Sequence, residues 1–424
     1  MRMKFNKSGQ LLLVSAASLL VAGLVTACGT LTVDFVFVTC SKAAGPNNYG
    51  EIDVFEINSE SGFMRQIPTS PFPSGGRDPV AEAVSSDNTN LYVVNQDDNS
   101  IVQFIIGNDG KLYPQNTVNT PGIYPLAVAV SGMNLFVVDT YQPLPTCSTA
   151  DPCSGSVAVF PITASSSSPP SDVLGTPLTN TSLSTNYWPL SLPGSPNDII
   201  VPTAINVLKS GTALFVTAYD SSVTPNVGYV FGFSIGSSGA LTPLNGGVPH
   251  DMGVGDMGLG IHPSAIASYT TSTSTYIYVT DSTNGIVVSY SIASGVLTKI
   301  SDTPAGDQPS AIVVDPMYAY VYVANSLDST VTAYSIGSSG ALTSLGAYAT
   351  GTQPVAIGID PSTNHFLFTA NYLGNGVSGA VSGFELSTTT GTLVNSMNSP
   401  YTANAQPTAV AAISHNGTGS GIQK

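Results

Sequence analysis

A phrase of about eleven residues recurs almost word for word in the second half of this chain. Gly306-Asp-Gln-Pro-Ser-Ala-Ile-Val-Val-Asp-Pro316 returns as Gly351-Thr-Gln-Pro-Val-Ala-Ile-Gly-Ile-Asp-Pro361. Each copy is followed by an aromatic and β-branched run, a polar turn, a third apolar run and a short strand after a glycine turn. Four strands per unit, repeated, specify a blade that cannot bury its faces alone and must stack against its neighbours. The proline that opens each unit can be traced along the chain as Pro79, Pro125, Pro202, Pro263, Pro309, Pro354 and Pro407. Pro79 and Pro125 lie 46 positions apart, as do Pro263 and Pro309, whereas the wider gaps after Pro125 and Pro202 imply insertions.

Both ends of the repeat are incomplete, and they complement each other. The first unit starts at its second strand, Val36-Phe-Val-Thr-Cys40, while the last opening, Gln406-Pro-Thr-Ala-Val-Ala-Ala-Ile413, supplies one strand only. The expected fold is therefore all-β: a seven-bladed propeller of four-stranded blades whose first blade is closed by the C-terminal strand, so that no sheet edge is left open at the seam. The runs Leu91-Tyr-Val-Val-Asn95, Ile277-Tyr-Val-Thr-Asp281 and Val321-Tyr-Val-Ala-Asn325 resemble the Tyr-Val-Thr-Asn signature of YVTN repeats. By that resemblance the chain is similar to the lactonase propellers that include 6-phosphogluconolactonase-like proteins. The likeness covers nearly all of the chain after its leader; it implies the fold strongly and the activity weakly.

The first residues read as an export signal. Arg2, Lys4 and Lys7 precede the apolar stretch Leu11 to Leu24, which ends in Val25-Thr26-Ala27-Cys28. That ending resembles a bacterial lipobox, so residues 1–27 are expected to be a lipoprotein signal peptide, 28–32 a lipidated Cys28 with a short tether, 33–414 the propeller and 415–424 a polar tail. The implied location is the cell envelope, anchored by lipid, in the outer membrane. Losing Arg2, Lys4 and Lys7 leaves seven Lys+Arg against 25 Asp+Glu, a net charge of −18. A field of that sign repels nucleic acid, so the expected partners are the membrane through Cys28 and an envelope protein or glycan, with the chain itself a monomer. Cys147 and Cys153 bracket a short loop and are expected to form a disulfide in an oxidising envelope. Cys40 is left as a buried free thiol.

Two rings of side chains should surround one mouth of the central channel. The residues before the opening prolines are Asp78, Tyr124, Val201, His262, Gln308, Gln353 and Gln406. Those ending the second strands are Cys40, Asn95, Asp139, Ala218, Asp281, Asn325 and Asn371, for which local Asx turns are the plainer account. Asp78, Tyr124, Gln308, Gln353, Gln406 and Trp188, the only Trp, are the ligand-binding candidates. Long insertions, Ser165 to Asp198 and Asn245 to His262, are expected to decorate the same mouth. Lactone hydrolysis needs a base and a cation for the developing oxyanion, and Arg77 and His262 are the candidates for those roles. No cofactor is expected. A divalent metal remains open through His250, Asp251, Asp256 and His262, although their spacing matches no established motif and simple loop polarity is the plainer account of those four. The mature chain holds only two arginines, Arg65 and Arg77, and no nucleophile elbow or phosphate loop. A noncatalytic binding or interaction module is thus the first expectation, with a lactonase acting in the central funnel as the alternative.

Overall fold

The computed structural model describes residues 33–42, 48–58, 61–145, 147, 150–164, 172–255, 258–315, 317–360, 366–373 and 379–414. Within them the strands gather into seven antiparallel sheets of four or five strands, each a blade in chain order. The innermost strands are Gln406–Ile413, Pro79–Val84, Ile123–Ser131, Ile200–Val207, Pro263–Thr270, Pro309–Val314 and Pro354–Ile359 for blades 1 to 7. Each contacts the next, and the last returns to the first, which closes the ring around a central channel. The leader, Cys28 and the tail 415–424 lie outside the described residues.

The second strands explain why the repeat is so apolar. Asn90–Asn95 in blade 2 and Phe366–Asn371 in blade 7 are buried at every position, since both faces of each sheet are covered by neighbouring blades. The core is accordingly a series of wedges between blades: Tyr92 and Val94 of blade 2 pack with Leu135, Val137 and Phe160 of blade 3. The signature tyrosine has a directional task in blades 5 and 6, whereas the buried Tyr92 hydroxyl of blade 2 has no hydrogen-bond partner among the described residues. The Tyr278 hydroxyl donates to the Gly340 carbonyl at 3.0 Å and the Tyr322 hydroxyl to that of Gly391 at 3.0 Å. Both acceptors sit in the glycine turn joining the third and fourth strands of the following blade, so the tyrosine ties one blade to the next. Gly340 has φ +86, and a Cβ there would lie 2.3 Å from the Tyr276 ring.

Blade 1 is built from both ends of the chain. Val33–Ser41 pairs antiparallel with Tyr49–Asn58 on one side and with Gln406–Ile413 on the other, in a register that sets Phe35 opposite Ile413 and Ser41 opposite Gln406. The insertions take a different course from the one expected. In blade 3 the outermost position is shared by Asp172–Leu174 and Trp188–Pro189, both paired with Ser156–Ala164. In blade 4, Leu241–Pro243 and His250–Gly253 split that position in the same way, against Val227–Ile235. Much of the inserted chain therefore wraps the circumference of blades 3 and 4 instead of crowding the channel. The loop of Cys147 and Cys153 does lie at the mouth, after the second strand of blade 3, with its sulfurs joined and its Cα atoms 5.4 Å apart. Cys40 is buried and free.

Removing Gln406 to Lys424 takes the inner strand from blade 1 and exposes the Val33–Ser41 edge. The truncated protein is expected to be poorly soluble and rapidly cut by protease at a temperature where the full chain resists. A truncation that melts like the full chain would show that closure of the ring does not depend on this strand.

Candidate functional site

Construction of the mouth begins with the residue before each opening proline. Asp78, Tyr124, Gln308 and Gln353 have φ of 47, 55, 51 and 57, a left-handed conformation that non-glycine residues adopt at a cost, and more so before proline. Surrounding bonds hold it in place. Asn99 of blade 2 accepts the Tyr124 N–H at 2.7 Å, and Ser329 of blade 6 accepts that of Gln353 at 3.3 Å, so each kink is gripped by the preceding blade. Beyond the proline the inner strand bulges, with register shifts between Pro79 and Ala81, Pro263 and Ala265, Pro309 and Ala311, and Pro354 and Ala356. The extra residue turns its side chain toward the next blade. Ser264 donates to the Pro309 carbonyl at 2.5 Å, Ser310 to Pro354 at 2.7 Å and Thr408 to Pro79 at 2.7 Å.

The residues that end the second strands do not line the channel. Asn95, Asp139, Asp281, Asn325 and Asn371 are fully buried. Asp281 makes the expected Asx turn, accepting from Thr283 at 3.0 Å, yet the same oxygen accepts the His262 N–H at 3.1 Å. Asn325 accepts from Gly306 at 3.0 Å and Asp139 from Gly122 at 3.1 Å. These side chains clamp the loop that enters their own inner strand. A Cβ on Gly122 would lie 2.3 Å from that of Asp139, which is why a glycine stands there.

His262 is half-buried at the mouth, its ring 4.2 Å from that of Tyr219 of blade 4, and its Nδ1 lies 3.3 Å from the Ser282 hydroxyl. Burial pushes its pKa down against the opposing pull of Asp281, so the imidazole is neutral near pH 7. His262, Ser282, Asn284, Asp307, Gln308 and Ser310 belong to the lining of a polar cavity of about 780 Å³ at the channel end. Arg77 is not part of that lining. Its Nε donates to Asp98 at 2.7 Å, and its guanidinium also reaches the Asp97 carbonyl at 3.1 Å. The bond to Asp98 raises the arginine's pKa and commits its charge. Arg77 ends the outer strand Phe72–Arg77 of blade 1 and His262 opens blade 5, as far apart as a seven-membered ring allows, so the two expected catalytic partners do not converge.

Trp188 lies at the outer edge of blade 3, not at the mouth. It is 4 % exposed, packs with Phe231 and Phe233 of blade 4 and donates its indole N–H to the Leu241 carbonyl at 2.8 Å. Filling a wedge between blades is its task, because a large apolar ring with one donor suits that gap. The metal candidates separate as well. His250 stands edge-on to Tyr290 of blade 5, 4.8 Å between centroids, while Asp251 accepts from its own Gly253 at 2.7 Å. Asp256 lies outside the described residues, among which no group of three or more His, Cys, Asp or Glu is placed to hold a metal. Tyr219 and Ser282 were not singled out in the sequence, because their meeting with His262 depends on two different blades. The bulge hydroxyls left a visible trace, the Ser or Thr of the recurring Pro-Ser-Ala and Pro-Thr-Ala.

Two buried acids bear on stability. Glu82 on the inner strand of blade 2 and Asp139 are each pushed up to about 7 by burial. Glu82 accepts from the Thr39 hydroxyl at 2.5 Å, and its second oxygen is buried with no hydrogen-bond partner. Each stays protonated in the folded chain to about pH 7, whereas the unfolded chain releases its proton near pH 4. Their contribution is therefore full below about pH 4, falls as pH rises toward about 7 and is flat beyond. Glu82→Gln is expected to reduce the drop in melting temperature between about pH 5 and about pH 8. An unchanged or steeper drop in the variant would contradict the assignment.

Residues 263–412 match the family model "Lactonase, 7-bladed beta-propeller". No curated protein matches the chain in sequence. Among solved structures, a provisionally assigned 6-phosphogluconolactonase of Bacteroides fragilis superposes with a TM-score of 0.66 at 19% identity, covering 91% of this chain and 99% of that one. The periplasmic gluconolactonase PpgL of Pseudomonas aeruginosa gives 0.65 at 18%, covering 90% and 99%. A Lactobacillus plantarum protein with no stated activity gives 0.66 at 15%, covering 90% and 99%. The fold is thus that of the lactonase-type seven-bladed propeller, and identities this low carry no further than the fold.

Proposed function

We propose that the protein is a binding module whose channel mouth takes a neutral, hydroxyl-rich ligand such as an envelope glycan. The observation that carries this reading is the absence of an unpaired cation at the mouth. Only Lys42 and Arg77 lie at that end among the described residues, and each is ion-paired, Lys42 with Glu51 at 2.5 Å and Arg77 with Asp98 at 2.6 Å. An anionic sugar lactone entering there would meet Asp307 and no free positive charge. A neutral polyol finds amides and hydroxyls, with an aromatic surface in Tyr219 and His262, whose rings meet at a tilt. Gln308 and Gln353 suit the task, since the bonds at these residues run through the main chain and leave their side-chain amides unspent.

The alternative is a lactone hydrolase with neutral His262 as general base, favoured by the likeness to the Pseudomonas gluconolactonase and by the 3.3 Å approach of Ser282. One experiment separates the two. Calorimetric titration with a panel of neutral oligosaccharides and their uronic-acid counterparts should show binding among the neutral members only, weakened about threefold to tenfold by Gln308→Ala, the worth of one hydrogen bond. Turnover of 6-phosphogluconolactone at an ordinary enzymatic rate, lost in His262→Ala, would replace this reading with the hydrolase.

The proposed setting is the bacterial envelope, with a lipid on Cys28 as anchor. Val33 and Ile413 lie at the face opposite the mouth, since the second strand of blade 1 starts there and the closing strand ends there. A tether of five residues spans at most roughly 17 Å, too little to pass around the ring. The base then faces the membrane and the mouth faces outward. Single cysteines at Ser86 on the base and Leu327 at the mouth, in a background lacking Cys40, Cys147 and Cys153, should differ in reaction with a membrane-embedded reagent, Ser86 being labelled first. Faster labelling at Leu327 would reverse the orientation.

A further inference from the structure

The outer edges of blades 3 and 4 enclose a second cavity, of about 400 Å³, remote from the channel. Its walls come from two departures from a regular blade. One is the segment that reaches Trp188–Pro189; the other runs from Leu241–Pro243 through the short turn Asn245–Gly247 toward His250–Gly253. Trp188, Phe231 and Phe233 form the inner wall, and Leu183 and Val248, 54 % and 52 % exposed, stand at the entrance. The volume falls within the range of small-molecule sites.

The chemistry of the walls selects the occupant. Among the described residues no Asp, Glu, Lys, Arg or His lines the cavity, in a chain with 25 Asp+Glu. Its buried polar side chains are committed: Asn180 donates to the Tyr187 carbonyl and accepts from Ser182, while the Trp188 indole N–H is given to Leu241, and the hydroxyls of Ser182, Ser191 and Thr242 belong to solvent-exposed residues. A charged ligand would surrender its hydration there without compensation. Water is poorly held where it has so few partners. An uncharged ring system gains from both circumstances, and the aromatic wall offers it edge and face contacts.

We propose that this cavity is a binding site for a neutral aromatic small molecule, independent of the channel mouth. Trp188 is the only Trp in the chain, so its fluorescence reports this site alone. The full chain is titrated with N-phenyl-1-naphthylamine, an uncharged aromatic dye that accepts tryptophan emission. Saturable energy transfer from Trp188 with one dye per chain is expected. Ser191→Phe, which sets a ring into the cavity from an exposed position, should weaken binding at least about tenfold, or about 1.4 kcal/mol. Val394→Phe, on the outer strand of blade 7 and 65 % exposed, should leave it unchanged. If Ser191→Phe alters folding, Val248→Asp at the exposed entrance is expected to cause the same loss. Absence of saturable transfer, or equal transfer in a folded Ser191→Phe variant, overturns the proposal. So does Trp188 emission that shifts with protein concentration as dimers form, which would assign the surface to a second copy of the chain.

Discussion

The ring depends on a strained loop entry and the bonds that hold it. At Asp78, Tyr124, Gln308 and Gln353 the backbone turns left-handed before a proline, and after these and the other opening prolines the inner strand bulges and presents a side chain to the next blade. Where that side chain is Ser264, Ser310 or Thr408, it reaches the neighbour's opening proline carbonyl. Where it is Val80, Leu126 or Val355, contact must come from packing alone. Proline suits this position because its fixed φ and missing donor cost nothing where the ladder is interrupted. Hydrogen bonds thus lace the inner ring between blades 5 and 6, 6 and 7, and 1 and 2, and none of these junctions involves blades 3 and 4, the blades that carry the insertions.

Much of this was legible in the sequence, for a physical reason. A blade's second strand is buried on both faces, so its composition is held apolar, and in blades 5 and 6 its tyrosine finds a partner one blade away; that pairing sets Tyr322 and Gly391 69 positions apart in the chain. Blade number and the seam followed from the same repeat. The insertions were not legible, because nothing in their Ser/Pro-rich text distinguishes a loop over the channel from one wrapped on the circumference. Trp188 was misplaced for that reason. The grouping of Tyr219, His262 and Ser282 depends on the angle between two blades, which no local pattern encodes. Likewise the buried acids at the strand ends looked like turn formers, and Asp281 shows that one carboxylate can serve both turn and clamp.

Charge distribution gives the mouth its character. The chain is acidic, yet its two cations at that end are neutralised pairwise, and the acids that face inward are buried beneath the surface as loop clamps. What remains exposed to a ligand is amide, hydroxyl and aromatic surface, with the Asp307 carboxylate as an exposed charge among it. A propeller of the same architecture with Arg77 released from Asp98 would present a different mouth without any change in the ring.

The seam in blade 1 also has a mechanical meaning. Val33–Ser41 and Gln406–Ile413 are adjacent antiparallel strands, and their outer ends, near Phe35 and Ile413, emerge side by side. Tension applied between those two ends would load the ladder one rung at a time, as a zipper opens, instead of across all rungs together as in shear. The ring that six blades close by continuous chain would then yield first at its one noncovalent joint. A load carried through the N-terminal end alone pulls on the molecule as a whole and leaves that joint unstressed.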